Sequence, residues 1–224
     1  QLEMGGKNPL VVLEDADLDA AAAATVKAAY ACAGQWCTST SRAIVVEDVA
    51  DDFTQRVLRL TEAIRIGPGA AEDTDMGPVC GSEQLSNVLA YIEAGVQGGA
   101  TLLTGGQQVK GEPFDGGCFI KPTVFADVTP QMTIAQEEIF GPVLAIVKVR
   151  DFEEAVEVAN GVPFGLSSTI FTKDLERAMS FLRQSEVGLT HVITMSALKE
   201  PQLPFGGIKK SGYGLPEAGR SGIE

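Results

Sequence analysis

Short apolar runs alternate with stretches whose apolar residues fall at helical spacing, and that alternation leaves very few architectures open to the chain. Pro9–Leu13 (PLVVL) is near-continuously apolar, the pattern of a strand covered on both faces. Ala43–Val46, Val143–Val149, Leu166–Phe171 and Leu189–Ile193 repeat it, with a shorter run at Thr101–Leu103. Between them lie helical patterns. Leu18, Ala22, Val26 and Ala29 mark a helix over Leu18–Ala33, with acidic first-turn residues at Asp15–Asp19 and a glycine, Gly34, to stop it. Asp51 and Asp52 are expected to open a second, with Phe53, Val57, Leu60 and Ile64 inward and Gly67-Pro68-Gly69 at its end. A third is expected over Ser82–Ala94, a fourth around Phe152, Val156 and Ala159, and a fifth around Leu175, Met179 and Leu182. Gln107–Gly117 reads as a surface loop, and Phe119–Phe125 as an extended segment that Pro122 places near an edge or bend. Strands alternating with helices in this way predict one α/β domain built on a mainly parallel sheet with flanking helices.

At 224 residues the chain is long enough to bury a core without disulfide or metal staples. Its net charge of −13 argues against a nucleic-acid face and against an anionic membrane surface. No apolar run approaches the roughly 18 residues of a transmembrane helix, and no signal peptide opens the sequence. The 4 cysteines form no CxxC pair and there is 1 histidine, so a zinc site is not expected. A soluble, reduced, cytoplasmic protein follows. Gln1–Gly6 begins as if inside an element, and Ser221–Glu224 stops where a strand is expected to start, so residues 1–224 are read as part of something larger.

Three places carry candidate chemistry. Cys37 sits in the polar turn Gly34-Gln35-Trp36-Cys37-Thr38, between two strongly patterned elements, where a scaffold can present one side chain. A thiolate there would be a nucleophile; an inert cysteine at a helix end is the plainer alternative. Glu3 precedes Gly5 and Gly6, a turn that leaves a carboxylate at the rim of an element, as a general base or an ordinary surface acid. Glu137-Glu138-Ile139-Phe140-Gly141-Pro142 offers an acidic pair and an aromatic before a strong strand, or merely a solvated helix end. His191 lies in the last apolar run and reads as a core or pocket-edge residue. The Gly- and Lys-rich tail, Gly206–Gly214, lacks P-loop spacing.

In this order and at these separations, LEMGGKNP (Leu2–Pro9), GQWCT (Gly34–Thr38), EEIFGPV (Glu137–Val143) and PFGGIKKSGYG (Pro204–Gly214) resemble the motifs of the aldehyde dehydrogenase superfamily over essentially the whole chain. The resemblance implies that Cys37 attacks an aldehyde carbon to give a thiohemiacetal, hydride passes to NAD or NADP, and water activated by Glu3 releases a carboxylic acid from the resulting thioester. It implies that Glu138 holds the nicotinamide ribose, Phe140 lies beside that ring, Gln84 contacts the cofactor and Phe205 lines the aldehyde pocket. Residues 1–224 would then be the catalytic domain of a larger chain whose full-length form is expected to be a homo-oligomer, lacking the N-terminal cofactor-binding portion and a C-terminal oligomerisation strand beyond Glu224. Alone it is expected to have little or no dehydrogenase activity.

Two departures from the family pattern stand out: Ile193-Thr194 where an asparagine is usual, and Asn87 where many members carry lysine. The loop Met195–Leu203 includes Lys199, a cation that a charged or oxo-acid aldehyde would meet, or a solvated loop residue. A cysteine hydrolase using Cys37 and His191 is the competing enzymatic reading, but it leaves Glu3, Glu138 and the PFGG segment without a role. A folded, non-catalytic fragment is the third.

Overall fold

The computed structural model describes residues 1–214 and 217–219. The strand expected to start at Ser221–Glu224 lies outside them. At the amino end β1 (Leu2–Glu3) is a two-residue exposed strand. It is followed by β2 (Asn8–Val12), in which every residue is buried. Helix α1 (Leu18–Tyr30) starts where the Asp17 carboxylate accepts from the N–H groups of Asp19 and Ala20, both at 3.1 Å. It ends three residues before the expected Ala33, because Cys32 and Ala33 take left-handed backbone angles (φ 51° and 55°) that no α-helix accommodates.

β3 (Thr40–Val46) runs directly into α2 (Glu47–Glu62), which begins four residues ahead of the expected Asp51. No side chain caps it; Glu47 and Asp48 supply first-turn negative charge instead. α3 (Gly81–Gln97), β4 (Thr101–Thr104) and β5 (Thr123–Ala126) follow. Then come the short α4 (Thr133–Gln136), β6 (Val143–Val149), α5 (Phe152–Asn160) and the two-residue β7 (Phe164–Gly165). β8 (Ser167–Phe171), α6 (Leu175–Gln184) and β9 (Leu189–Val192) complete the regular part, and β10 (Ile208–Lys209) and β11 (Gly212–Tyr213) lie in the tail.

The main sheet has the order β4-β5-β6-β3-β2-β8-β9, parallel throughout except between β4 and β5. The expected α/β architecture is therefore observed. Pro122 precedes β5, which lies near the edge of the sheet, one strand in from β4. Leu175 and Met179 of α6 face outward while Ala178 and Phe181 are buried. After β9, Ile193 adopts φ 56° and the chain doubles back along the sheet, so that the carbonyls of Thr194 and Ser196 accept from the hydroxyls of Thr169 (2.7 Å) and Ser167 (2.7 Å).

Two cations are buried beneath the site. The Arg42 guanidinium donates to the Lys7 carbonyl through Nε (3.1 Å) and Nη2 (2.9 Å), and to the carbonyls of Val158 (2.8 Å) and Ala159 (3.0 Å). It ties the entry of β2 to the end of α5. Lys7 is as deeply buried, yet its Nζ has no hydrogen-bond partner among the described residues.

Candidate active site

Three motif segments enter the amino ends of three consecutive strands: Glu3–Lys7 leads into β2, Cys37–Ser39 into β3 and Glu138–Pro142 into β6. Neighbouring strands lie about 4.8 Å apart, so segments far apart in sequence are brought side by side. Open α/β sheets usually bind ligands at the carboxyl ends of their strands; this cluster forms at the opposite ends.

The Cys37 turn is fixed through its backbone. Asn8 Nδ2 donates to the carbonyls of Cys37 (2.7 Å) and Ser39 (2.9 Å), while its Oδ1 accepts from the Ser167 N–H at 3.0 Å. Ser196 Oγ donates to the Thr38 carbonyl (2.8 Å) and shares a hydrogen bond with Thr40 Oγ1 (2.8 Å). The cysteine itself is half-buried. Burial pushes its thiol pKa up, the Thr38 N–H pulls it down, the Glu138 carboxylate raises it, its own N–H lowers it, and Glu3 adds a further upward push.

Gly5 and Gly6 pass between this turn and Glu138. The Gly6 N–H donates to Glu138 Oε1 at 2.8 Å. A Cβ on Gly5 would stand 1.8 Å from Glu138 Oε2, and one on Gly6 would stand 2.5 Å from the Cys37 carbonyl oxygen. A Cβ at Gly6 would meet the Cys37 backbone, and one at Gly5 would displace the Glu138 carboxylate, so the glycine pair keeps both in place. Glu138 has a raised pKa because it is partly buried, although the Gly6 N–H and Lys7 oppose that shift. Lys7 is lowered to about 7 by burial and by Arg42, with Glu138 and Glu137 acting the other way.

The Glu138 segment turns at Phe140, whose φ is 54° and whose ring is exposed. Gln84 on α3 braces that turn: its Nε2 donates to the carbonyls of Ile139 (3.0 Å) and Phe140 (2.7 Å). Gln84, Phe140, Gln35, Cys80, Glu83 and Asn87 line an open groove of about 530 Å³.

Glu3 belongs to the softer side of the cluster. Among the described residues β1 pairs with β11 alone, opposing Glu3 to Gly212. Partial burial and Glu217 raise its pKa, while Lys199 lowers it. Phe205 is buried and exchanges backbone hydrogen bonds with Glu217 at 2.6 and 2.7 Å.

The structure thus brings Glu3 and Glu138 within electrostatic range of Cys37 and sets Gln84 and Phe140 on one groove wall. It does not bring His191 to them. That residue lies on β9, with β8 and β2 between it and β3, roughly 14 Å of sheet. Burial alone lowers its pKa. Sequence reasoning missed Asn8 and Ser196, which hold the cysteine turn. A polar residue opening an otherwise apolar buried strand was the available signal for Asn8; Ser196 gave none. No cluster of metal-ligating side chains occurs among the described residues.

The whole chain, residues 1–224, matches the model of the aldehyde dehydrogenase family. It is 47% identical over 221 residues to the alpha-ketoglutaric semialdehyde dehydrogenase of Bacillus subtilis, covering 99% of this chain and 45% of that protein. An NAD-dependent aldehyde dehydrogenase from Sinorhizobium meliloti superposes with a TM-score of 0.95 at 40% identity, over 99% of this chain and 43% of that one. The betaine aldehyde dehydrogenase of Staphylococcus aureus, solved with NAD+, gives 0.96 at 33% identity, over 99% and 44%. The chain therefore spans less than half the length of the relatives it matches. A cysteine turn, a glycine pair and a carboxylate turn seated on adjacent strand ends, in a sequence matched from end to end, lead to one conclusion: this chain belongs to the aldehyde dehydrogenase family.

Proposed function

We propose that these residues form the catalytic part of an enzyme that oxidises an aldehyde to a carboxylic acid, with Cys37 as nucleophile and Glu3 as general base. The observation that supports the reading is the glycine pair threaded between the Cys37 backbone and the Glu138 carboxylate, which sets the cysteine turn and that acid on either side of one backbone turn. In this reading the Cys37 sulfur bonds to the aldehyde carbon and the carbonyl electron pair moves to oxygen. The raised thiol pKa means that a base must take the thiol proton as the bond forms. In this reading the N–H of Cys37 supplies one donor to the oxyanion. Glu3 then takes a proton from the water that attacks the thioester, the C–S bond breaks, and the acid leaves with the thiol restored. Partial burial and Glu217 raise the Glu3 pKa, in the direction general-base work requires.

The groove beside Phe140 suits a dinucleotide's nicotinamide end. It is open, it has an exposed aromatic at its rim, and Glu138, whose carboxylate accepts from the Gly6 N–H, lies two positions before that aromatic. Glu138 would hold the ribose hydroxyls, with Phe140 beside the ring and Gln84 holding both in register. Bound there, NAD+ would supply the hydride acceptor that the oxidation requires. NAD+ is preferred to NADP+ because the Sinorhizobium and Staphylococcus neighbours are NAD-dependent or NAD+-bound.

Because the chain covers 45% of the Bacillus relative, the rest of the cofactor site is assigned to the remainder of the enzyme, and residues 1–224 alone are expected to form little or no NADH. A cytoplasmic homo-oligomer completes the proposal; four free cysteines suit a reducing compartment.

In the full-length enzyme, C37A is expected to cut aldehyde-dependent NADH formation by about a thousandfold or more, with the fold retained. Near-normal turnover in that variant overturns the assignment.

A further inference from the structure

Two shielded hydroxyls share a small pocket with the Glu138 carboxylate. Ser39 and Ser41 stand two positions apart at the entry of β3, so their side chains point to one face of the sheet. Ser39 is only 7% exposed, and neither Oγ has a hydrogen-bond partner among the described residues. Thr40 between them spends its hydroxyl on Ser196, at 2.8 Å. A buried hydroxyl left unpaired is destabilising, and two side by side call for a common partner.

Both serines line one pocket of about 20 Å³ between the entries of β3 and β6, and Glu138 forms another of its walls. That carboxylate has acceptor capacity to spare. It can take about four hydrogen bonds, and the Gly6 N–H at 2.8 Å is its one donor among the described residues. A water needs roughly 10–15 Å³ and about two to four polar partners, so this pocket has room for one. Two hydroxyls and a carboxylate supply the partners. We infer that Ser39 and Ser41 hold one ordered water against Glu138, and that this water fixes the carboxylate for the ribose of the nicotinamide half. The hydroxyls rotate to donate to the water or accept from it, and the water donates to the carboxylate. Burial raises the Glu138 pKa, and a second donor beside the Gly6 N–H favours the ionised form that accepts from ribose hydroxyls. The inference rests on the assignment of Glu138 to that ribose proposed above. The serines are positioning residues, acting on the cofactor through the water and Glu138.

The test uses the full-length enzyme. A high-resolution crystal structure is expected to show one oxygen peak within about 3.2 Å of Ser39 Oγ, Ser41 Oγ and a Glu138 oxygen. The S39A S41A double variant is expected to lose that peak and to weaken NAD+ by about tenfold in calorimetric Kd. It is expected to bind ADP, which lacks the nicotinamide ribose, within about twofold of wild type, an outcome that general loosening of the fold would not give. S39A and S41A singly, each deleting one hydroxyl, are expected to fall between, and they carry the same test should the double variant melt early. E138Q is expected to weaken NAD+ at least as much. A pocket filled by a protein atom overturns the inference, as does a metal ion with about six oxygens at about 2.0–2.6 Å in place of the water. Equal losses of NAD+ and ADP overturn it as well. Wild-type NAD+ affinity in the double variant, with E138Q weakened, overturns it and leaves the ribose assignment standing. Wild-type NAD+ affinity in E138Q removes that assignment and the inference with it.

Discussion

The two sides of the cluster are built differently. On the sheet side, Cys37 is anchored by Asn8 and Ser196 to β2, β3 and β8, and every tie is a hydrogen bond to backbone or to a buried hydroxyl. On the rim side, Glu3 rides on a two-residue exposed strand that pairs with another strand of two residues. The proposed nucleophile is thus tied to the core and the proposed base to the tail. The contrast teaches that a site needing one immobile atom and one adaptable proton carrier can take each from a region of matching stiffness. The same contrast recurs underneath: Arg42 donates to three carbonyls, while the Lys7 ammonium beside it has no hydrogen-bond partner among the described residues.

The largest expected effect is on the sheet side. Asn8→Ala leaves the carbonyls of Cys37 and Ser39 and the N–H of Ser167 without their partner, and is expected to cost about 4 kcal/mol in urea denaturation. A loss below about 1 kcal/mol would show that the turn is held by something else.

Lys7→Met comes next. The folded pKa of about 7 lies below the ordinary 10.5, so between these values the unfolded chain holds a proton that the folded chain has shed. Wild-type stability therefore rises across that window, and its contribution is lost as pH falls to about 7. The substitution is expected to stabilise the chain by about 2 kcal/mol at pH 6 and to flatten that rise. Parallel stability–pH curves for the two proteins would contradict this.

A smaller gain is expected at Ile193, a β-branched residue at φ 56° where the chain doubles back toward Ser196. Ile193→Asn, whose side chain tolerates left-handed backbone, is expected to add about 1 kcal/mol. Thermal melting checks the sign. At the rim, Glu3→Gln is expected to change stability by less than about 0.5 kcal/mol, the counterpart of the Asn8 result.

Much of the sheet was legible because its signals are local. β6 was bounded correctly at Val143 and Val149, since Gly141-Pro142 precedes it and Asp151 caps the next helix. The start of α2 was misplaced because Val46 offers no side-chain cap, so the Asp51-Asp52 pair stood in for one. α4, with four residues, is too short to show a period. β1, β10 and β11 have two residues each and exist only through partners distant in sequence. The site divides the same way. Cys37, Glu3 and Glu138 were visible as motif residues, but Asn8 reaches partners 29, 31 and 159 positions away, and no local pattern records such a contact.

Everything in the proposed chemistry turns on whether the Cys37 sulfur carries the acyl group. Rapid quenching of the full-length E3Q enzyme mixed with NAD+ and succinate semialdehyde, followed by peptide mass spectrometry, answers that. The expected result is an acyl mass on the Cys37 peptide, appearing with the first burst of NADH and absent from C37S. NADH formed with that peptide unmodified, or with the acyl mass on Cys32 or Cys80, would contradict it.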